Sequence, residues 1–370
     1  MSFSGAIRKA RDLGRRSLAL ARPAGGMVEP RARYAPRPHD AVLVLARGEN
    51  ASLDYYLRPR LHPASVPVEF ADLHGSPGRS AMLSDPSRRA LLVVVCRYAS
   101  AAWLQALETA RPRIARFAFF ADDDLPAMAA DRRLPLAVRG KVAEGFGQWA
   151  DRLSDLAGEV WLSTPALAGR YPTSHAVVLP PIPEADPPAP AAPHERLVVY
   201  HGTDVHGPER AFAVEVAKRL RMMGCDAPVE ITGDLALARN CRGLRGLRVT
   251  PQAPWPDYLA HVRSRRAAVF LAPLSASAVN AARAPVKTFD AARLGATGLF
   301  ANRQPYRDFV EDGADGRLLP DDPQAWAEAV VELLGDPAAR IGLAERAAGR
   351  LRRLRADGLE LPPPPPPGGR

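Results

Sequence analysis

Polarity along this chain alternates in a regular way. Short apolar runs of strand length occur at 41–46, 66–70, 90–95, 116–120, 159–162 and 176–179. Helix-compatible stretches lie between them, notably 101–109 and 139–156. The rhythm restarts with strands predicted at 197–200, 229–232, 247–250, 268–272 and 297–301. Helices are predicted at 209–222, 255–262, 286–294, 324–334 and 337–354. Strands that are apolar throughout, separated by helices, indicate parallel sheets covered on both faces. Between the two series, residues 183–194 continue the proline-rich run P-P-I-P-E-A-D-P-P-A-P-A-A-P-H that begins at 180, a semi-stiff linker.

This pattern divides the 370 residues into a basic arm (1–38), a first α/β domain (39–182), the linker (183–194), a second domain with a returning last helix (195–356), and a proline-rich tail (357–370). In open α/β sheets, ligands bind outside the carboxyl ends of the strands. Loops that follow strands are therefore where chemistry is sought.

Composition refines the picture. A net charge of +10 suggests a nucleic-acid partner, but the charge is spread along the chain, whereas a nucleic-acid footprint clusters. No specific nucleic-acid partner is expected. Lysine occurs only at Lys9, Lys141, Lys218 and Lys287, every other strong base being arginine, which reads as a coding bias. The arm carries Arg8, Lys9, Arg11, Arg15 and Arg16 around a small apolar face. It fits either a frayed soluble arm or a helix resting on an anionic membrane. Three cysteines without metal spacing fit a reducing compartment. With no run long enough to span a bilayer and no signal peptide evident, the expected location is cytoplasmic, with peripheral contact at the inner face of the membrane.

The densest chemistry lies at 280–295. Arg283, Lys287 and Asp290 stand at the start of a short helix that a glycine, Gly295, ends. A helix start and two cations suit a diphosphate, and a carboxylate can accept from a ribose diol. The bland alternative is an exposed Lys–Asp pair of small energy. Three carboxylates, Asp122, Asp123 and Asp124, follow the strand at 116–120. They read as a functional site, or as an N-cap with an acidic first turn. Gly48 lies in the loop after the first strand, and His201-Gly202-Thr203 in the loop after the first strand of the second domain. There is no Walker loop, H-E-x-x-H, paired C-x-x-C or G-x-S-x-G.

The order N-x2-R-x3-K-x2-D, then G-A, then Y-x2-F-V-x-D-G-x-D-G-x-L-L from Asn280 onward resembles the C-terminal half of GT-B glycosyltransferases of the family-4 kind. Tyr200-His201-Gly202-Thr203, Trp255-Pro256-Asp257-Tyr258, Asp54-Tyr55-Tyr56-Leu57, Phe120-Ala121-Asp122-Asp123-Asp124-Leu125 and Trp161-Leu162-Ser163-Thr164 are similar to a subgroup found in bacterial polysaccharide gene clusters. Asp290 matches the second acidic residue of the family's E-x7-E signature, while Ala282 stands at the first.

The resemblance implies two Rossmann-like doubly wound domains facing a central cleft, with the last helix crossing back. It implies transfer of a sugar from a nucleoside diphosphate sugar to a glycan or lipid-linked acceptor, with retention, no obligatory metal and no cofactor. Donor-side residues would be Arg283, Lys287, Asp290, His201, Gly202, Thr203 and Gly48. The carboxylates 122–124 would face the acceptor, one of them orienting or deprotonating its hydroxyl. Two alternatives stay open: a degenerate, non-catalytic sugar-nucleotide or glycan-binding module, and a metal-dependent transferase using Asp122 and Asp124.

Overall fold

A computed structural model describes residues 26–35, 37–62, 65–173 and 175–363. The basic segment 1–25 and the tail end 364–370 lie outside the described residues, and with them the expected membrane helix. The chain forms two compact units, one of residues 1–181 with 282–284 and 359–370, the other of 182–281 and 285–358.

Each unit is built on a six-stranded parallel sheet, in line with the expected fold class. In the first, β1 (Ala41–Ala46), β2 (Val68–Asp72), β3 (Leu91–Cys96), β4 (Ile114–Ala121), β5 (Glu159–Leu162) and β6 (Ala176–Val178) lie in the order β2-β1-β3-β4-β5-β6. β1 and β3 pair from Ala41↔Leu91 to Leu45↔Val95, and every residue of both is buried. These all-apolar strands need cover on both faces, which helices supply.

In the second unit β7 (Val198–Tyr200), β8 (Val229–Thr232), β9 (Leu247–Thr250), β10 (Val269–Ala272), β11 (Thr297–Ala301) and β12 (Arg317–Leu319) run β12-β11-β10-β7-β8-β9. Its core gathers Val199, Phe270, Phe300, Trp326 and Leu343. Strand order reverses between β1 and β3 in the first sheet and between β7 and β10 in the second, and a crevice at the strand ends forms at such a switch point.

The structure differs from expectation in several places. The second strand is displaced to Val68–Asp72, because Pro67 has no N–H for the ladder and only its carbonyl pairs, with Val42. The helix expected over 139–156 is broken into Leu136–Gly145, a 3-10 turn Gly147–Trp149 and Ala150–Leu156. Gly145 presses on the ring of Tyr98, where an added Cβ would lie 2.7 Å from a ring carbon. Part of the basic arm is bound to the first unit: Met27, Val28 and Ala32 are buried, and Arg31 and Ala32 donate backbone bonds to Ser154 and Ala157.

The proline-rich stretch is strapped to the second unit. Arg340 donates to the Ala192 carbonyl and Arg355 to that of Pro183, while Glu184 pairs with Arg263 and Arg293. The last helix, Pro337–Asp357, belongs to the second unit for its whole length, with Leu343 in that core. Only the residues after it cluster with the first unit, where buried Arg60 donates to the carbonyls of Tyr56, Pro180 and Glu360.

Candidate active site

In the first unit the polar residues gather at the carboxyl ends of β1, β3 and β4, beside the switch point. After β1 the chain turns at Gly48, whose φ of +58° lies in the left-handed region where a Cβ is strained. Its N–H donates to Asp72 (3.0 Å), and Asn50 accepts from the N–H of Leu53 (3.2 Å). Ser52 then leads into a π-helical turn, Leu53–Leu57, a geometry frequent at functional sites. The Ser52 hydroxyl donates to Asp122 Oδ2 at 2.7 Å.

Arg97, the first residue after β3, has φ +68° and is the one non-glycine residue with positive φ among the described residues. Such strain persists only where the surroundings hold it. Here two carboxylates do: Asp122 lies 3.3 Å and Asp123 3.0 Å from the guanidinium. Arg283 donates Nε to the other oxygen of Asp123 at 3.0 Å. Burial pushes the Asp122 carboxyl above its usual pKa; Arg97 pulls against this and Asp123 adds to it. Asp122 Oδ1 has the ion contact with Arg97 but no hydrogen bond.

The third carboxylate has a different task. Asp124 caps the helix Leu125–Ala130 by accepting from the N–H of Ala127 (3.0 Å). It also accepts from Arg170 (2.7 Å) and from the hydroxyl of Tyr171 (2.5 Å). Asp122 and Asp124 therefore have separate partners, and among the described residues no three His, Cys, Asp or Glu side chains gather as a metal site.

In the second unit Lys287 opens the helix Lys287–Arg293. Its ammonium donates to the His201 carbonyl (2.8 Å) and to Asp290 (3.0 Å), and it remains 25 % exposed. Asp290 is buried and also accepts from Arg293 at 2.6 Å. The His201 ring does not point outward; it is 4 % exposed, with Nε2 3.3 Å from Glu230 and Nδ1 3.4 Å from the Tyr258 hydroxyl. A neutral ring with its proton on Nε2 satisfies both contacts, and burial holds its pKa below the usual value. Gly202 is required by space: a Cβ there would lie 2.5 Å from the Tyr200 hydroxyl. Thr203 is exposed.

Two buried acids complete this side, and neither was singled out from the sequence. Glu230, inside β8, accepts from Arg265 at 2.7 Å as well as facing His201 and His261. Burial raises its pKa, but the bonds from His201 and Arg265 prevail and lower it to about 2. Glu209 accepts from the N–H (2.9 Å) and hydroxyl (2.6 Å) of Ser275 and from Asn280 (3.2 Å), which pins the loop after β10.

Lys287, Asp290 and His201 are thus brought together, as are Asp122, Asp123 and Arg283, while Asp124 is withdrawn into a cap. Arg97 was legible by the rule that singled out Asp122, since it is the first residue past an apolar strand. Glu230 was legible as a lone charge in the apolar run V-E-I-T.

No protein-family model matches the chain, and no curated protein does. Its fold is similar to that of HepE from Anabaena. The form solved with UDP and glucose aligns at a TM-score of 0.54 and 13% identity, covering 87% of this chain and 96% of that one. The form with UDP-glucose aligns at 0.53 and 13%, covering 87% and 99%. The chain has the fold of the GT-B glycosyltransferases.

Proposed function

We propose that this protein transfers a sugar from a nucleoside diphosphate sugar to a glycan or lipid-linked acceptor, the second unit binding the donor and the first the acceptor. The observation that carries the reading is the Lys287 ammonium, anchored on the His201 carbonyl at the end of β7 and paired with buried Asp290. This is a partly exposed cation beside a carboxylate at a switch point, where nucleotides bind in such sheets. The HepE structures, which hold UDP and UDP-glucose, support the donor class.

On this reading Asp290 accepts from the ribose diol, and Lys287 neutralises charge that grows on the diphosphate as the glycosidic bond breaks. The Gly202 N–H and the exposed Thr203 border the same strand end. On the acceptor side Asp122 is the base. Its raised pKa and its oxygen without a hydrogen bond suit removal of a hydroxyl proton, while Ser52 and Arg97 hold it in place. Retention and independence of a metal follow from the family resemblance, with Lys287 supplying the cationic charge. Asp124, which the metal-dependent alternative needs beside Asp122, is committed to its cap.

One observation favours a second reading, binding without turnover: Ala282, at the usual acidic position, is a buried alanine whose carbonyl is held by the Thr164 hydroxyl at 2.7 Å. A thermal-shift screen of UDP, GDP, ADP, CDP and TDP sugars tests both. A ligand at about 100 times its dissociation constant stabilises by about 2.7 kcal/mol. One nucleotide series should stabilise, and an acceptor panel in EDTA should then consume that donor. Stabilisation without consumption selects the binding module; no stabilisation by any series rejects both readings.

A further inference from the structure

The free edge of the second sheet carries a feature that sugar transfer does not use. Strand β9 is the edge strand, and it and the helix Leu235–Asn240 and turn before it carry Arg239, Arg242, Arg245 and Arg248, one at every third residue. All four are exposed, and their side chains have no hydrogen bond or ion pair among the described residues. Some other surface arginines, such as Arg58, Arg152 and Arg317, are matched by Glu49, Glu108 and Glu332, while others, such as Arg352 and Arg353, are as unmatched as these four.

The same edge holds the two most exposed large hydrophobic side chains described, Met222 and Leu235, each at 76 %. Each has an arginine on its own helix face. Leu235 and Arg239 are four residues apart on one helix, and Arg219 and Met222 three apart at the end of the helix Gly207–Met222. Arg221 laces that helix end to the arginine-bearing turn, donating to the carbonyls of Arg245 and Ala227 at 2.5 Å each. The exposed acids nearby are already engaged, Asp226 with Arg196 and Asp234 as the cap of the helix Leu235–Asn240.

We propose that this edge docks on an anionic lipid bilayer, the arginines meeting headgroup phosphates and Met222 and Leu235 entering the headgroup boundary. Cations spread along an edge without converging suit a diffuse negative surface rather than one small ligand. Apolar tips between basic side chains are what an interfacial surface presents. Single-stranded nucleic acid is disfavoured because binding it relies on aromatic stacking, and residues 219–248 contain no Phe, Tyr or Trp. Protection of the edge from strand pairing accounts for Arg248 in β9 but not for the three arginines before it. The proposal does not depend on the reaction.

The test is flotation of the full chain with phosphatidylglycerol–phosphatidylcholine vesicles against pure phosphatidylcholine, at rising salt. The parent should partition to the anionic vesicles, less so as salt screens the charge. Replacing the four arginines with serine should lower partitioning on the order of 100-fold with an unchanged melting temperature, and replacing them with lysine should preserve it. Met222→Ser with Leu235→Ser should cost about tenfold. A parallel chain with Arg8, Lys9, Arg11, Arg15 and Arg16 as serine should keep most of the binding. The proposal is overturned if the parent does not prefer anionic vesicles, if the four-serine chain binds like the parent, or if the loss falls on the arm variant instead. Retention of a single-stranded RNA homopolymer in place of vesicles would overturn it as well.

Discussion

Asp122 in the first unit is a half-buried acid and Glu230 in the second a buried one, and their proton affinities shift in opposite directions. Both lose hydration. Glu230 has a strong donor on each oxygen, Arg265 on one and His201 on the other, so its charge is well held. Asp122 has Ser52 on one oxygen, only an ion contact on the other, and Asp123 as its neighbour. Burial alone does not set a carboxyl pKa; the number of donors and the nearest like charge decide it. The first unit therefore holds an acid suited to moving a proton, and the second an acid suited to holding a framework still.

The sharpest way to break this contrast is to neutralise each acid. Asp122→Asn should lower turnover by about 100- to 10,000-fold, as expected of a lost base, while nucleotide affinity measured by calorimetry stays unchanged. A parallel loss of affinity would place Asp122 outside the proton transfer. Glu230→Ala should leave half-buried Arg265 and the buried His201 ring without their acceptor and cost about 2–3 kcal/mol in denaturant melts at neutral pH.

The pH dependence separates the two acids further. The folded pKa of Glu230 is depressed, so its stabilisation is complete above the unfolded value of 4.5 and is lost as pH falls from there toward about 2. The folded pKa of Asp122 is raised, so its effect has the other sign: stability falls as pH rises from 3.8 through the folded value. Melting temperatures of the two neutralised variants across acid pH should diverge from the parent in opposite directions. Parallel curves would show that the two acids are alike.

Lys287→Ala should lower turnover about 100- to 1000-fold and weaken nucleoside diphosphate binding while sparing the nucleoside. Single-turnover rates with calorimetry on both ligands decide this, and equal losses for nucleoside and diphosphate would mean that Lys287 only shapes the loop. The two glycines give the smallest effects, for different reasons. Gly202→Ala forces a Cβ against the Tyr200 hydroxyl and should cost about 1–3 kcal/mol. Gly48→Ala meets open space and pays only for its backbone, about 1 kcal/mol, with Asn at that position cheaper than Ala. If Gly48→Ala proves the costlier, the loop is tighter than its surroundings indicate.

Much was legible before the structure. Apolar runs such as L-L-V-V-V-C and the helices between them determine two parallel sheets, because strands buried on both faces admit little else. The rule that sites follow strands singled out Asp122, Asp123 and His201. Sequence could not say which atoms of those residues face the site. His201 turned its ring to Glu230 and offered its carbonyl to Lys287, and Asp124 became a cap, since orientation depends on partners from distant parts of the chain. The pairings of Ser52 with Asp122, Arg97 with Asp123, and Arg265 with Glu230 span tens of residues and have no local signature. Periodicity and turn chemistry are local, so the amino-acid order by itself determined the elements and the ends of the sheets where chemistry belongs. Hydrogen-bond partners and dielectric surroundings are set by packing, so only the tertiary structure decided which carboxylate has its proton affinity raised and which is locked as its anion.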